Sequence, residues 1–166
     1  QPSAGYLPRL SNVIAWMLFI DDLPLVRPWF WSYHVTRKNF YKKTRQVGWV
    51  QGAALIARSK ALQDVGLLDE GIFMYGEDVE FCIRAKRSGF KVGWTDCASI
   101  IHLGGRSSSD PKLNQWLGEF KGILYIYKKY TNSLSTLVIK LLIYLFVFIR
   151  SVAFFLLGRT LASRTY

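Results

Sequence analysis

Hydrophobic and polar positions are mixed along most of this chain, in short apolar runs and amphipathic stretches, until about residue 130. Beyond that point the sequence becomes almost continuously apolar. The first stretch, residues 1–46, is aromatic and punctuated by Pro8, Pro24 and Pro28, which confine any helix to about 9–20. It reads as an irregular aromatic and basic lid or surface segment. Val47 to Ala57 is apolar with Gly52-Ala53-Ala54 at its centre, which predicts a buried strand where backbone approaches a neighbour closely. A helix is expected next, capped by Ser59 and ended by Gly66, and then a loop between Gly71 and Gly76 that carries Phe73, Met74 and Tyr75.

The stretch from Glu77 to Arg87 predicts a helix with Val79, Phe81, Cys82, Ile83 and Ala85 as apolar surface. Lys86 and Arg87 suit its negative end, and Gly89 supplies the stop. Glu77 and Asp78 then fall in the first turn, where the helix dipole favours ionised carboxylates. Residues 90–101 read as one or two short strands leading to His102. A flexible loop from Gly104 to Pro111 and a helix from about Lys112 to Tyr130 follow.

The tail, Leu134 to Gly158, carries only Lys140 and Arg150 as charges. Its longest charge-free stretches, Leu141 to Ile149 and Ser151 to Gly158, are each too short to span a bilayer alone. Thr136, Lys140, Tyr144, Arg150 and Ser151 gather on one side of a helical wheel. An interfacial helix and a tilted span with its cations against protein both fit, and a buried helix is the bland alternative. The expected organisation is residues 1–46 as the lid, 47–130 as the chemical unit and 131–166 as a membrane-associated helical tail.

Composition sharpens this picture in two places. The 22 Lys and Arg outnumber the 11 Asp and Glu, for a formal charge of +11, and Arg37, Lys38, Lys42, Lys43 and Arg45 cluster around Phe40 and Tyr41. That cluster suits phosphates, or it is a solvated loop obeying the positive-inside rule. Nucleic acid is not the expected partner, because zinc spacing and a recognition-helix pattern are both missing. Cys82 and Cys97 have no metal-ligand spacing and read as reduced core thiols, which fits the cytoplasmic face of a membrane. Gln1-Pro-Ser-Ala-Gly does not resemble a signal peptide, and the chain is expected to be cut from something longer.

These parts suit glycosyl transfer, which needs a base to take the acceptor hydroxyl proton and positive groups to hold the departing phosphate. Asp78 is the candidate base, His102 a candidate metal ligand and Arg106 a candidate phosphate contact. Taken singly, Glu77 and Asp78 are ordinary first-turn charges and His102 an ordinary strand-end histidine. The combination carries the argument.

The succession Gln51-Gly52-Ala53-Ala54, Val65-Gly66-Leu67-Leu68-Asp69-Glu70, Phe73-Met74-Tyr75-Gly76-Glu77-Asp78-Val79-Glu80-Phe81-Cys82-Ile83-Arg84, Gly89-Phe90-Lys91-Val92 and His102-Leu-Gly-Gly-Arg-Ser resembles the acceptor-side half of family 2 glycosyltransferases. The rhamnosyltransferase-like enzymes of bacterial cell-surface polysaccharide synthesis are the most similar subgroup, and the likeness covers about residues 45–110. It implies an α/β chain with a partial GT-A fold, a nucleotide-sugar donor, a divalent metal (Mg²⁺ or Mn²⁺), inversion at the anomeric carbon and Asp78 as catalytic base. The acceptor would be a lipid-linked or growing glycan. Glu77 and Asp69 would shape the acceptor pocket, Gly52 and Ala53 would line the sugar site, and His102 would lie near the diphosphate and metal. Trp49, Phe73 and Tyr75 are candidates for stacking on sugar rings, with a core role as the alternative for each. The nucleotide-binding half of the family pattern and its Asp-x-Asp metal motif are missing, and Asp21-Asp22 does not replace that motif. The metal is therefore expected mainly through residues outside this chain, and the 166 residues alone are expected to be inactive.

Overall fold

The computed structural model describes residues 1–18, 20, 23, 32–103 and 111–157. Arg106, Asp21 and Asp22 lie outside the described residues. Short strands pair in two antiparallel ladders. Strand β1 (Ala4–Gly5) pairs with β3 (Trp49–Val50), placing Gly5 opposite Trp49, and β2 (Arg45–Gln46) pairs with β4 (Gly93–Trp94). The helices are α1 (Leu10–Met17), α2 (Ser59–Val65), α3 (Glu77–Arg87), α4 (Pro111–Tyr130) and α5 (Ser133–Leu157). The chain is thus mixed α/β, with strands much shorter than its apolar runs predict.

Helix α3 is the best-determined element in physical terms. Gly76 precedes it at φ +107°, a conformation that glycine adopts without a Cβ penalty. Glu77, Asp78 and Glu80 occupy its first turn and Arg84, Lys86 and Arg87 its last, matching the helix dipole at both ends. Its inner side buries Val79, Cys82 and Ile83, and α3 packs directly on β3. Burial pushes the Cys82 thiol up to about 11, so it is an inert core group. Cys97 is free and exposed, not the core thiol that its sequence suggests.

Glu80 is fully buried within this packing. Its carboxylate accepts from Arg84 on α3 and from Lys129 and Tyr130 on α4. Burial pushes the carboxyl up, yet the hydrogen bonds from Lys129, Tyr130 and Arg84 outweigh it and hold Glu80 below the usual range. Arg84 also donates to the carbonyls of Val65 and Leu67, satisfying the end of α2 where Gly66 turns the chain at φ +81°. One ion-pair network therefore fastens α2, α3 and α4 together. At the other end of α2, Arg58 takes the cap position that Ser59 was expected to hold, and no side chain caps the helix.

Three expectations are corrected here. Among the described residues of the first 46, Ala4, Val13, Met17, Tyr33, Val35 and Phe40 are core rather than surface positions, because they belong to the same buried cluster as Val79 and Ile123. The strand expected over 47–57 ends at Val50, and Gly52–Ala54 forms an exposed 3-10 turn. The strand expected over 90–101 is reduced to Gly93–Trp94, with residues 95–103 exposed. A two-residue ladder against Arg45–Gln46 is all that the described partner backbone provides.

Over Ser133–Leu157 the tail is helical, and this helix contributes to the core. Helix α5 packs on α4 and α1 and buries Ile139 and Phe146 in the common cluster. Its other side leaves Leu134, Leu137, Leu141, Leu145, Phe148 and Phe155 exposed at helical spacing. Among the described residues no helix is long and apolar enough to cross a membrane.

Candidate functional site

Asp78 sits in the first turn of α3 and faces the exposed turn at Gly52. Its Oδ2 accepts the Gly52 N–H at 2.8 Å and its Oδ1 accepts the Val79 N–H at 2.8 Å. The half-buried carboxyl is pushed up by burial, while the amides of Gly52 and Val79 and the charge of His34 pull in the opposite direction without cancelling it. The helix-end stabilisation read from sequence is therefore outweighed by desolvation. A carboxylate raised from its ordinary value is the stronger base for it.

Glu77 lies beside Asp78 with a different environment. Burial pushes its carboxyl up, with backbone hydrogen bonds opposing and the Asp78 charge adding to the rise. Its Oε2 is buried and has no hydrogen-bond partner among the described residues. An unpartnered buried acceptor costs on the order of 1–3 kcal/mol. A bound hydroxyl would relieve that cost.

Tyr75 is the turning point of the approach to this site. It adopts φ +67°, the one described non-glycine residue with positive φ, and its backbone rests on α4 at Gly118 and Gly122. A Cβ on Gly122 would lie 2.3 Å from the Tyr75 carbonyl oxygen, and one on Gly118 would lie 2.5 Å from Tyr75 Cδ2. Two glycines one helical turn apart thus let the Tyr75–Gly76 bend sit against the α4 backbone, and that bend launches the turn that carries Asp78.

The remaining expected site residues separate into two groups. Gly52 and Ala53 do stand next to Asp78, in an exposed turn. Trp49 does not offer a stacking face: it is buried, its Nε1 donates to the Tyr33 carbonyl, and its ring packs on Tyr33 and His34. Asp69 binds the Gly71 N–H, the Tyr125 hydroxyl and Lys129, which together hold its carboxyl down at about 2. It fixes the loop before Phe73 and has no oxygen left free of these contacts. Phe73 is almost wholly exposed, at 94%.

His102 is exposed and its Nδ1 lies 3.2 Å from Gln1 Oε1. Among the described residues no three His, Cys, Asp or Glu side chains come together to hold a metal. The described residues therefore do not make a metal site around His102.

Sequence reasoning missed His34. It contacts Glu119 on α4 through Nε2, packs against Trp16 and Trp49, and acts electrostatically on Asp78 in the lowering direction. The partners are 85 positions apart, and nothing local marks the pair. Trp16 and Trp116 stack at 5.9 Å beside them, joining α1 to α4. A tryptophan in each helix was the available signal.

Comparison with known proteins bears directly on this arrangement. The chain is 35% identical over 75 residues to an N-acetylglucosaminyl-diphospho-decaprenol L-rhamnosyltransferase of Mycobacterium tuberculosis, covering 45% of this chain and 24% of that protein. It is 31% identical over 58 residues to the low-salt glycan biosynthesis hexosyltransferase Agl10 of Haloferax volcanii, covering 35% of this chain and 19% of that one. It is 26% identical over 101 residues to the rhamnosyltransferase WbbL of Escherichia coli, covering 60% and 34%. The matches thus span between 19% and 34% of the length of these relatives. No solved structure matches the chain significantly. The family model for glycosyl transferase family group 2 matches residues 13–165, nearly the whole sequence, and the chain accordingly belongs to that family, on its rhamnosyltransferase-like side.

Proposed function

We propose that this chain forms the acceptor-side part of an inverting glycosyltransferase of partial GT-A fold, with Asp78 as general base. The sugar passes from a nucleotide-sugar donor to a lipid-linked or growing cell-surface glycan. The observation that carries this reading is the Asp78 carboxylate. It is half-buried, fixed by the N–H groups of Gly52 and Val79, and faces an exposed small-residue turn. Those bonds leave lone pairs on both oxygens for a substrate proton. In the step itself the acceptor hydroxyl gives its proton to Asp78 while its oxygen bonds to the anomeric carbon. The bond from that carbon to the diphosphate breaks on the opposite face, and the nucleoside diphosphate departs with the electron pair. Backside displacement inverts the centre. Glu77 Oε2 accepts a second acceptor hydroxyl and orients the sugar.

The donor nucleotide and a divalent ion, Mg²⁺ or Mn²⁺, belong to this reading but are assigned chiefly to residues other than those described, with His102 and Arg106 as contributions from this chain. The apolar outer side of α5 supports a place at a membrane surface, and the free thiols suit its cytoplasmic face. Replacing Asp78→Asn in the intact protein tests the proposal. Transfer should fall by about 10²–10⁴-fold, with an unchanged melting temperature. Wild-type transfer by that variant would remove Asp78 from the role.

The exposed stripe on α5 favours a second reading, a membrane-surface module whose pocket is vestigial. Vesicle binding by an intact protein that transfers no sugar to any acceptor would select it.

A further inference from the structure

Residues 32–35 are stitched to β1 and β3. The Tyr6 N–H donates to the Ser32 carbonyl at 3.2 Å, the Val35 N–H to the Ala4 carbonyl at 3.1 Å, and Trp49 Nε1 to the Tyr33 carbonyl at 3.0 Å. Gly5 permits this approach, since a Cβ there would lie 1.7 Å from the Tyr33 carbonyl oxygen. His34 is thereby held against β3. Its ring meets Trp49 edge-on at 5.0 Å, and Trp49 opens the strand that packs on α3 and leads into the Gly52 turn bound to Asp78. Trp16 packs on the same ring at 5.4 Å, and Glu119 binds Nε2 from α4. An ionised carboxylate only accepts, so Nε2 keeps its proton in either charge state of the imidazole.

The segment is within electrostatic reach of both carboxylates. Burial pushes the Tyr33 phenol well above its usual range, and Glu119 and Asp78 both add to that rise. At Asp78, burial raises the carboxyl, while the amides of Gly52, Val79 and Asp78 itself and the His34 side chain oppose it. The other titratable neighbours supply no such opposition. Glu77 carries the same charge as Asp78, and Tyr33 and Cys82, both pushed up by burial, are neutral across the acid range. An ordinary imidazole is protonated where carboxylates titrate. We propose that His34, held in place by Glu119, is a positioning residue for glycosyl transfer, whose positive charge in the acid range keeps the Asp78 carboxylate available as the base. It acts through Asp78 and sets the lower edge of the working pH range. The inference rests on the reading of Asp78 as base for its catalytic consequence, but the effect of His34 on the carboxyl does not.

The experiment is a carbon-13 titration of the aspartate carboxyls in the intact protein, with the Asp78 resonance identified by its loss in Asp78→Asn. His34→Gln removes the charge, while its amide can still donate to Glu119. His34→Phe, which suits the same aromatic surroundings, is the second neutral variant should His34→Gln fold poorly. The Asp78 midpoint is expected to move to higher pH in either neutral variant and to stay near wild type in His34→Lys, which keeps a cation. In transfer assays the acid limb of kcat/KM should move the same way. The loss in kcat/KM should be about threefold greater at the acid end than at neutral pH, because less of the base is ionised there. A purely structural role would lower the profile equally at every pH. A midpoint that stays at its wild-type position in both neutral variants, or that moves as far in His34→Lys, overturns the proposal. A midpoint that moves under an acid limb that does not overturns it too, by removing Asp78 as the base rather than His34 as its neighbour.

Discussion

Replacing Gly122 with alanine sets two effects of known sign against each other. Glycine in a helix interior is less favourable than alanine by about 1 kcal/mol, so an unobstructed Gly→Ala change in α4 should stabilise the protein. At Gly122, however, the new Cβ would lie 2.3 Å from the Tyr75 carbonyl oxygen and 3.3 Å from Gly76 Cα. Both neighbours are backbone, so relief requires the Tyr75–Gly76 bend to lift away from α4. Overpacking of this kind costs about 1–3 kcal/mol, and an obstruction by backbone belongs at the upper end. The net expectation is destabilisation by about 1–2 kcal/mol, or roughly 2–8 °C in melting temperature for a chain of this size. Gly118→Ala should cost less, since its closest obstruction at 2.5 Å is the Tyr75 ring, which can turn. Thermal unfolding of the two variants in detergent measures this, and transfer measures the consequence, because lifting the bend displaces Asp78. A 1 Å misplacement can cost about 10²-fold in rate. A Gly122→Ala protein that melts higher than wild type would refute the packing argument.

Asp69 is held at about 2 against an ordinary 3.8, so its depressed pKa stabilises the fold fully above 3.8 and progressively less as pH falls toward 2. The melting-temperature gap between wild type and Asp69→Asn should therefore be largest at neutral pH and shrink through that acid window; a constant gap would contradict the pairing with Lys129. Gly52→Ala places a Cβ at 3.6 Å from Asp78, an ordinary contact, so stability should hold while the opening before the carboxylate narrows and the KM for acceptor rises. Trp49→Phe removes the donor to the Tyr33 carbonyl and should cost about 1–3 kcal/mol in denaturant unfolding with acceptor KM unchanged. The opposite pattern, intact stability with a raised KM, would return Trp49 to the sugar site.

What the sequence made legible was local. The α3 boundaries could be read because every cue agreed there: a glycine before, carboxylates in the first turn, cations in the last. Helix α4 could be read from its long amphipathic stretch. The strands were overestimated because apolar runs report burial, whereas a ladder needs partner backbone in register, and the described partners are two residues long. The site followed the same division. Asp78 and Gly52 come together, whereas Trp49 and Asp69 are committed to the core and to an ion pair. Those commitments depend on Tyr33 and Lys129, residues 16 and 60 positions away. His34 and Glu119 were invisible for the same reason. The spacing of Gly118 and Gly122 was a signal available in the sequence, and only the Tyr75 bend gives it meaning.

The burial of Ile139 and Phe146 has a practical consequence for anyone who would work with a shorter protein. A cut after Tyr130, chosen to discard the greasy tail and keep the chemistry, removes two side chains from the cluster that backs Val79 and Cys82 behind Asp78. The exposed floor would comprise Trp116 and Phe120, which Phe146 now covers. Ease of handling and a correctly seated base are therefore bound to the same helix. The productive edits are on its outer stripe, where Leu137, Leu141 and Phe148 can be exchanged for polar residues without opening the core.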